Sequence, residues 1–487
     1  MHHPLNNRFQ KEIPGHEFDY GKFDKEIMMS LISRFVFVRV AAMLLVTLFI
    51  CRDAECQVTL AKLNAPNTSA SSTFTGLNNG TISGAHNISK VDVHTLLYPG
   101  ATTKILAHYL PWWNASPRSG ISVGYQSDDP VYINKLFNDL ASRGVDGLII
   151  DWYGQTDFTN KAWLASIPEL QKFSNITFSI MIDAGSFKFN PCAGCDATAN
   201  ILYNLDYIEE VYIPYQQYLR YNDHPVVFEF GLTSLPGVDW TKIQAAHPEI
   251  YWAHLDNATS VSGFDITNSK GSFLWVDPPP YPIVEKQASM AEPNYFYGNA
   301  LTKPNQITVG ATFKGFNSSL AAWDVGVPQY IPQTCGATWL ETFSTINKYY
   351  SAAKQLPFLQ LVTWNDYEEG TELETGIENC ATLSAIVDYA NHALNVHLTH
   401  VNTIDHLELY EQNKDGTLAL TNTFPATMLN ITMTRFSGTF YLRAVGKPFM
   451  KNVLSQAIVV NQQLVAKRPS PARYDTANGA RIAPQRK

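Results

Sequence analysis

From residue 104 onward, short apolar runs alternate with longer stretches in which apolar residues recur at helical spacing. The runs occupy residues 105–110, 147–152, 177–182, 225–230, 250–255, 272–276, 307–313 and 358–363. Their near-continuous apolarity is that of strands covered on both faces. Between them, the stretch 129–142 opens on Asp129 and Pro130 and stops at Arg143 and Gly144, which predicts a capped helix. Eight strand–helix units in succession predict an α/β chain folded as a (β/α)8 TIM barrel over residues 104–394. A doubly wound open sheet is the competing architecture, but no glycine-rich dinucleotide or phosphate loop follows the first run.

The rhythm then changes. Short alternating segments at 407–410, 428–433 and 439–445, separated by polar turns such as 413–416, predict a small β-sandwich over residues 395–463. Residues 464–487 form a basic, Pro-containing tail expected to be disordered. Residues 57–103 are a lead-in that begins as an Asn/Ser/Thr-rich linker and carries several sequons, such as those at Asn67 and Asn87. Within residues 1–56, Arg34 and Arg39 precede an apolar run at 40–51, and Ala54-Glu55-Cys56 follows as a cleavage site. That is the pattern of a signal peptide, with Met28 or Met29 a better-proportioned start than Met1; an uncleaved anchor is the other reading. Either way the expected location is secreted or periplasmic.

The 487-residue chain is 45% hydrophobic and 12% aromatic, enough for one large core and a smaller one. A net charge of -8 without a basic cluster before the C-terminal tail argues against nucleic acid as a partner. No membrane contact beyond the signal segment is expected, and nothing in the sequence speaks to oligomeric state. Cys51 and Cys56 fall in or beside the signal, leaving Cys192, Cys195, Cys335 and Cys380 as disulfide candidates in an exported protein. Cys192 with Cys195 and Cys335 with Cys380 is the pairing we expect, out of three possible arrangements. Cys192-Ala193-Gly194-Cys195 has the spacing of half a zinc site but no matching second pair, so no metal or other cofactor is expected.

Barrel sites lie at the C-terminal ends of strands. There the sequence places His108, Tyr109 and Trp112 after the first run, Asp151, Trp152 and Tyr153 after the second, then Asp183, Glu229, Trp275 and Lys314. After the eighth run comes the stretch 364–374, which holds Asn365 and five carboxylates: Asp366, Glu368, Glu369, Glu372 and Glu374. Charge crowded at the end of a core strand loses water and repels itself, so it needs a chemical reason. A set rich in carboxyl, amide and aromatic groups, with Lys314 its one cation, suits a neutral polyhydroxylated ligand. A polysaccharide or glycan is therefore the expected partner. His108 and His254 stand singly on separate strands and read as hydrogen-bonding or core histidines rather than metal ligands.

Cleavage of a glycosidic bond needs one protonated and one ionised carboxyl group. Asp366 and Glu369 lie three residues apart, on one side of a turn, where burial and repulsion push their affinities for the proton apart. The shorter Asp366 is expected as the base and Glu369 as the acid. Glu229 is the competing acid and Asp151 the competing base, although both also read as ligands for substrate hydroxyls or for the barrel top. Glu372 and Glu374 are expected to cap the following segment or to face solvent. In the sandwich, Tyr410, Phe440 and Tyr441 could form a carbohydrate-binding face, but core packing accounts for them better.

Residues 365–374 resemble the Asn-Glu-Trp-His-Glu-Gly-Thr-x-Ile-Glu motif of glycoside hydrolase family 99, the endo-α-mannosidases and endo-α-mannanases. Trp364-Asn365-Asp366-Tyr367 with Glu369 is also similar to the Trp-Asn-Asp-Tyr-Gly-Glu motif of family 71, the α-1,3-glucanases. His108 to Trp113, Gly124-Tyr125 and Asp151 to Gly154 look similar to the first two strands of family 99, so the resemblance covers most of the barrel. It implies an endo-acting α-glycosidase with Asp366 and Glu369 as the catalytic pair. Asp366 stands where family 99 has Glu, Glu368 replaces its His, and the Gly that precedes the Glu in family 71 is missing. The sugar thus stays open between α-mannan and α-glucan. The alternative from another class is a carbohydrate-binding or surface protein that uses a hydrolase-like barrel without cutting.

Overall fold

The computed structural model describes residues 87–461, except 116–120, 190–191, 257–261, 279–287, 322, 325–326 and 434. The signal segment, most of the linker and the basic tail lie outside the described residues. Eight parallel strands close on themselves: β1 (Lys104–Tyr109), β2 (Gly147–Trp152), β3 (Thr177–Asp183), β4 (His224–Phe230), β5 (Tyr251–Asp256), β6 (Gly271–Leu274), β7 (Ile307–Phe313) and β8 (Phe358–Val362). β1 pairs with both β2 and β8, and the ring is completed where β3 pairs with β4, Met181 opposite Phe228. This is the (β/α)8 barrel expected from the eight apolar runs, each observed strand lying within a residue or two of its run.

Strand side chains alternate between two cores, as a period of two demands. Leu106, Ile149, Met181, Phe228, Ala253, Phe273, Val309 and Phe358, drawn from every strand, fill the barrel interior. Their sequence neighbours Ile105, Ala107, Leu148, Ile150, Ile180 and Val227 pack outward against the surrounding helices. The first of those helices, Pro130–Ser142, has Asp129 as its N-cap, accepting from the Val131 N–H, and Pro130 in its first turn. It ends before Gly144, whose φ of +77° and closeness to the Asp92 carboxylate both exclude a larger residue.

Two antiparallel sheets follow the barrel, as expected of a small sandwich. One comprises Leu383–Asp388, Ala393–Leu398 and Asn430–Thr432; the other is built on Ile404–Gln412, Leu418–Pro425 and Gly438–Gly446. The antiparallel part thus begins at Leu383, ahead of residue 395, where the hydrophobic alternation had placed it. Its core takes Leu394, Leu407, Leu409, Ile431, Phe440 and Leu442. Tyr410, Phe440 and Tyr441 are all buried and serve packing.

Phe449 carries this part onto the barrel. Its ring lies 5.7 Å from Trp339 and 6.3 Å from Trp364, and its carbonyl accepts from the Ile377 N–H at 2.8 Å. The disulfides join Cys192 to Cys195 and Cys335 to Cys380, the expected pairing. Two such bonds fit an oxidising compartment. Among the described residues no helix is long and apolar enough to cross a membrane.

Candidate active site

The segment after β8 is a tight, internally bonded loop. The Thr363 N–H donates to the Thr371 carbonyl at 3.2 Å, Thr371 N–H to Asp366 at 3.1 Å, and the Leu373 and Glu374 N–H groups both return to Trp364, each at 3.0 Å. Gly370, at φ +62°, makes the reversal. Asn365 fastens this loop to the end of β1 by accepting from the Leu110 N–H at 2.9 Å and donating to the Leu110 carbonyl at 3.0 Å. From below, the Arg143 guanidinium lies over the Trp364 ring, 5.1 Å from its centroid, and donates to the Leu373 and Glu374 carbonyls. These bonds brace the loop from both ends, so the two candidate catalytic carboxyls sit on a firm support.

Asp366 and Glu369 face a cavity of about 920 Å³ at the C-terminal mouth of the barrel, together with Glu368. One oxygen of Asp366 accepts from the N–H groups of Glu368 at 2.9 Å and Glu369 at 3.0 Å. Burial pushes the Asp366 carboxyl up to about 7, an effect that the Glu369 and Glu368 N–H groups oppose and the Glu368 carboxylate reinforces. Glu369 is held well above the usual carboxylate range, by burial first and then by Asp366, Glu368 and Asp151. Asp366 has two backbone donors that favour its ionised form, whereas Glu369 faces three carboxylates. The proton shared by the pair therefore resides on Glu369.

The other expected residues divide by strand parity. His108, Trp112, Asp151, Tyr153, Asp183 and Trp275 line the cavity. His108 packs edge-on to Trp275 at 4.7 Å, and burial lowers its pKa to about 3, so the imidazole is neutral. Trp112 and Tyr153 pack against each other at 6.2 Å. Tyr109 and Trp152 do not reach the cavity. Each follows an inward-facing neighbour and so turns outward, Tyr109 against Trp163 and Trp152 onto Tyr207 with its indole N–H on Asn160.

Glu229 is likewise outward-facing and fully buried. One of its oxygens accepts from Leu232 N–H at 2.8 Å and the other from Leu255 N–H at 2.9 Å, so it ties the tops of β4 and β5 together and is not placed to act as an acid. Lys314 pairs with Glu372 at 2.8 Å, and neither lines the cavity. Asn365 is spent on Leu110, as described.

Glu374 neither faces solvent nor caps a segment. It is 2% exposed and accepts from the hydroxyls of Tyr125 at 2.8 Å, Tyr132 at 3.2 Å and Tyr367. Burial raises it to about 7, against the pull of those three donors. Among the described residues the cation facing the cavity is Lys188, on the short helix Ser186–Phe189, and not Lys314. Phe230, Phe316, Trp323 and Gln329 also line the cavity and were not expected. Phe230 could have been found by parity with Phe228; the others sit in loops to which the strand-end rule does not reach. Among the described residues, no three His, Cys, Asp or Glu side chains gather as a metal site.

No protein-family model and no curated protein matches the chain. Among solved structures, the chain is similar to a GH99 endo-α-mannosidase from Bacteroides thetaiotaomicron in complex with bis-tris propane, with 14% identity over 59% of this chain and 89% of that one at a TM-score of 0.45. A second structure of the Bacteroides thetaiotaomicron GH99 endo-α-mannosidase gives 15% identity, 56% and 88% coverage and a TM-score of 0.43. A Cellulomonas fimi endo-β-1,4-mannanase double mutant gives 10% identity, 72% and 93% coverage and a TM-score of 0.30. Likeness at this level leaves substrate and residue roles to be judged from the chain's own geometry.

Proposed function

We propose that the chain is an exported glycoside hydrolase that cleaves α-glycosidic bonds within a glycan or polysaccharide. The observation that carries this reading is the carboxyl pair at the cavity mouth, in which two N–H donors on Asp366 make it the more readily ionised member and Glu369, facing three carboxylates, keeps the proton. Glu369 gives that proton to the glycosidic oxygen as the bond from the anomeric carbon breaks. For an α-glucan, Asp366 takes the proton from a water whose oxygen bonds to the same carbon. In an α-mannoside the 2-oxygen lies trans to the leaving group and can displace it first: Asp366 takes the 2-hydroxyl proton, the 2-oxygen bonds to the anomeric carbon as the glycosidic bond breaks, and a 1,2-anhydro sugar results. Water then bonds to that carbon as its bond to the 2-oxygen breaks, giving a proton to Glu369 while Asp366 returns its own to the 2-oxygen.

The walls suit such a ligand. Trp112, Tyr153 and Trp275 offer apolar ring faces, Asp151 and Asp183 accept from hydroxyls, and neutral His108 adds a hydrogen bond without charge. Export rests on the apolar segment at 40–51 and on the two disulfides.

The test is release of new reducing ends from α-1,3-glucan and α-mannan by purified protein and its Asp366→Asn and Glu369→Gln variants. We expect one polymer to be cut and each variant to lose at least about a hundredfold in rate. Variants with full activity would sink the assignment of the pair, and glycan binding without any new reducing ends would favour the non-catalytic reading.

A further inference from the structure

Between β7 and β8 the chain forms a hairpin in which Phe316–Asn317 pairs antiparallel with Tyr330–Ile331. Its base is fastened to the candidate acid itself, because the Asn317 N–H donates to the Glu369 carbonyl at 2.7 Å. Gly370 passes so close that a Cβ there would lie 3.4 Å from Asn317. Within the hairpin, the Gln329 N–H donates to the Ser318 hydroxyl oxygen at 2.7 Å, and that hydroxyl donates to the Asp324 carboxylate. The hairpin is therefore braced at its base and across its middle.

On this braced hairpin Trp323 is 53% exposed, yet it lines the cavity together with Phe316 and Gln329. Exposure alone would need no occupant, but an indole on a cavity wall offers its apolar face to whatever the cavity binds. Its position continues the wall of a cavity already lined by Trp112, Tyr153 and Trp275, which points to the same occupant as theirs. A pyranose ring presents an apolar C–H face that an indole covers, while its hydroxyls remain hydrated at the rim. The geometry points to Trp323 as a stacking platform for a sugar unit removed from the bond being cut, so that the site selects longer chains. This rests on the cavity binding an α-glycan.

Calorimetric titration of the full chain tests it, with α-1,3-gluco- and α-manno-oligosaccharides from disaccharide to heptasaccharide as probes. Turnover is blocked by Glu369→Gln, and that protein is compared with the same protein carrying Trp323→Ala or Trp323→Phe. We expect Trp323→Ala to weaken the longest bound oligosaccharide about tenfold, Trp323→Phe to retain most of that affinity, and the disaccharide to be unaffected by either. Equal affinity at every length with and without Trp323, an equal loss at every length, or no binding of either series would overturn the proposal. Reducing-end release by the unaltered protein separates the two ideas. Hydrolysis with no length-dependent effect of Trp323 removes only the platform, whereas a length-dependent effect without hydrolysis removes only the catalytic reading.

Discussion

Replacing Asp366 by Asn should stabilise the protein, and should do so only as the pH rises. The Asn oxygen keeps the two hydrogen bonds from the Glu368 and Glu369 N–H groups, so the loop loses no anchor. What changes is the titration. Burial raises the Asp366 carboxyl from 3.8 to about 7 on folding. A raised folded pKa means the folded chain binds the proton more tightly, so its advantage is complete below about pH 4 and is lost as pH climbs through about 7. At about 1.4 kcal/mol per pH unit, a shift of this size sets a ceiling of about 4 kcal/mol. Removing the Asp366 charge also relieves Glu369, while Glu374, which burial raises to about 7, titrates in both proteins and cancels.

We therefore expect the variant-minus-parent stability difference to grow by about 2–4 kcal/mol between about pH 4.5 and about pH 8. Urea unfolding followed by fluorescence at several pH values measures it. Stability curves that run parallel within about 0.5 kcal/mol would refute the claim that this carboxyl is strained toward its neutral form by the fold.

Three further outcomes follow from the same geometry. Arg143→Met should cost about 3–5 kcal/mol in urea unfolding, because it leaves Asp139 as a buried carboxyl without its partner at 3.4 Å; adding Asp139→Asn should recover part of the loss. Opening the Cys335–Cys380 bond by a double Ser substitution should cost about 4 kcal/mol if loop closure governs, since the bond spans 45 residues; thermal unfolding with and without reductant checks it. Turnover should follow a bell-shaped pH profile, with an acid limb governed by Asp366, which burial raises to about 7; a flat profile between about pH 5 and about pH 8 would contradict the ionised-base assignment.

The barrel was legible because all eight strands are apolar on both faces and separated by helical spacing, and because Asp129, Pro130 and Gly144 punctuate the first helix. That same continuous apolarity hid which residues face inward. Once His108, Asp151 and Phe228 point into the barrel, Tyr109, Trp152 and Glu229 must point away, so parity rather than proximity to a strand end decides who meets a ligand. Glu374 could not be placed from its neighbours in sequence, since two of its three hydroxyl donors, Tyr125 and Tyr132, come from a distant part of the chain. Asn365 and Lys314 likewise owe their roles to partners brought near by barrel closure and loop packing. Lys188 lies on a four-residue helix and Trp323 and Gln329 on a loop hairpin between barrel strands, segments too short or irregular for apolar periodicity to carry information about direction.

The proposed chemistry turns on a division of labour between the two carboxyls. It is tested most directly by the dependence of the variants on leaving group, using aryl α-glycosides of whichever sugar the polymer assay identifies. Glu369→Gln should recover activity as the phenol becomes more acidic, because such a group departs without a proton, while Asp366→Asn should stay impaired across the whole series. Equal sensitivity of both variants to the leaving group, or recovery by Asp366→Asn alone, would contradict the assignment of acid to Glu369 and base to Asp366.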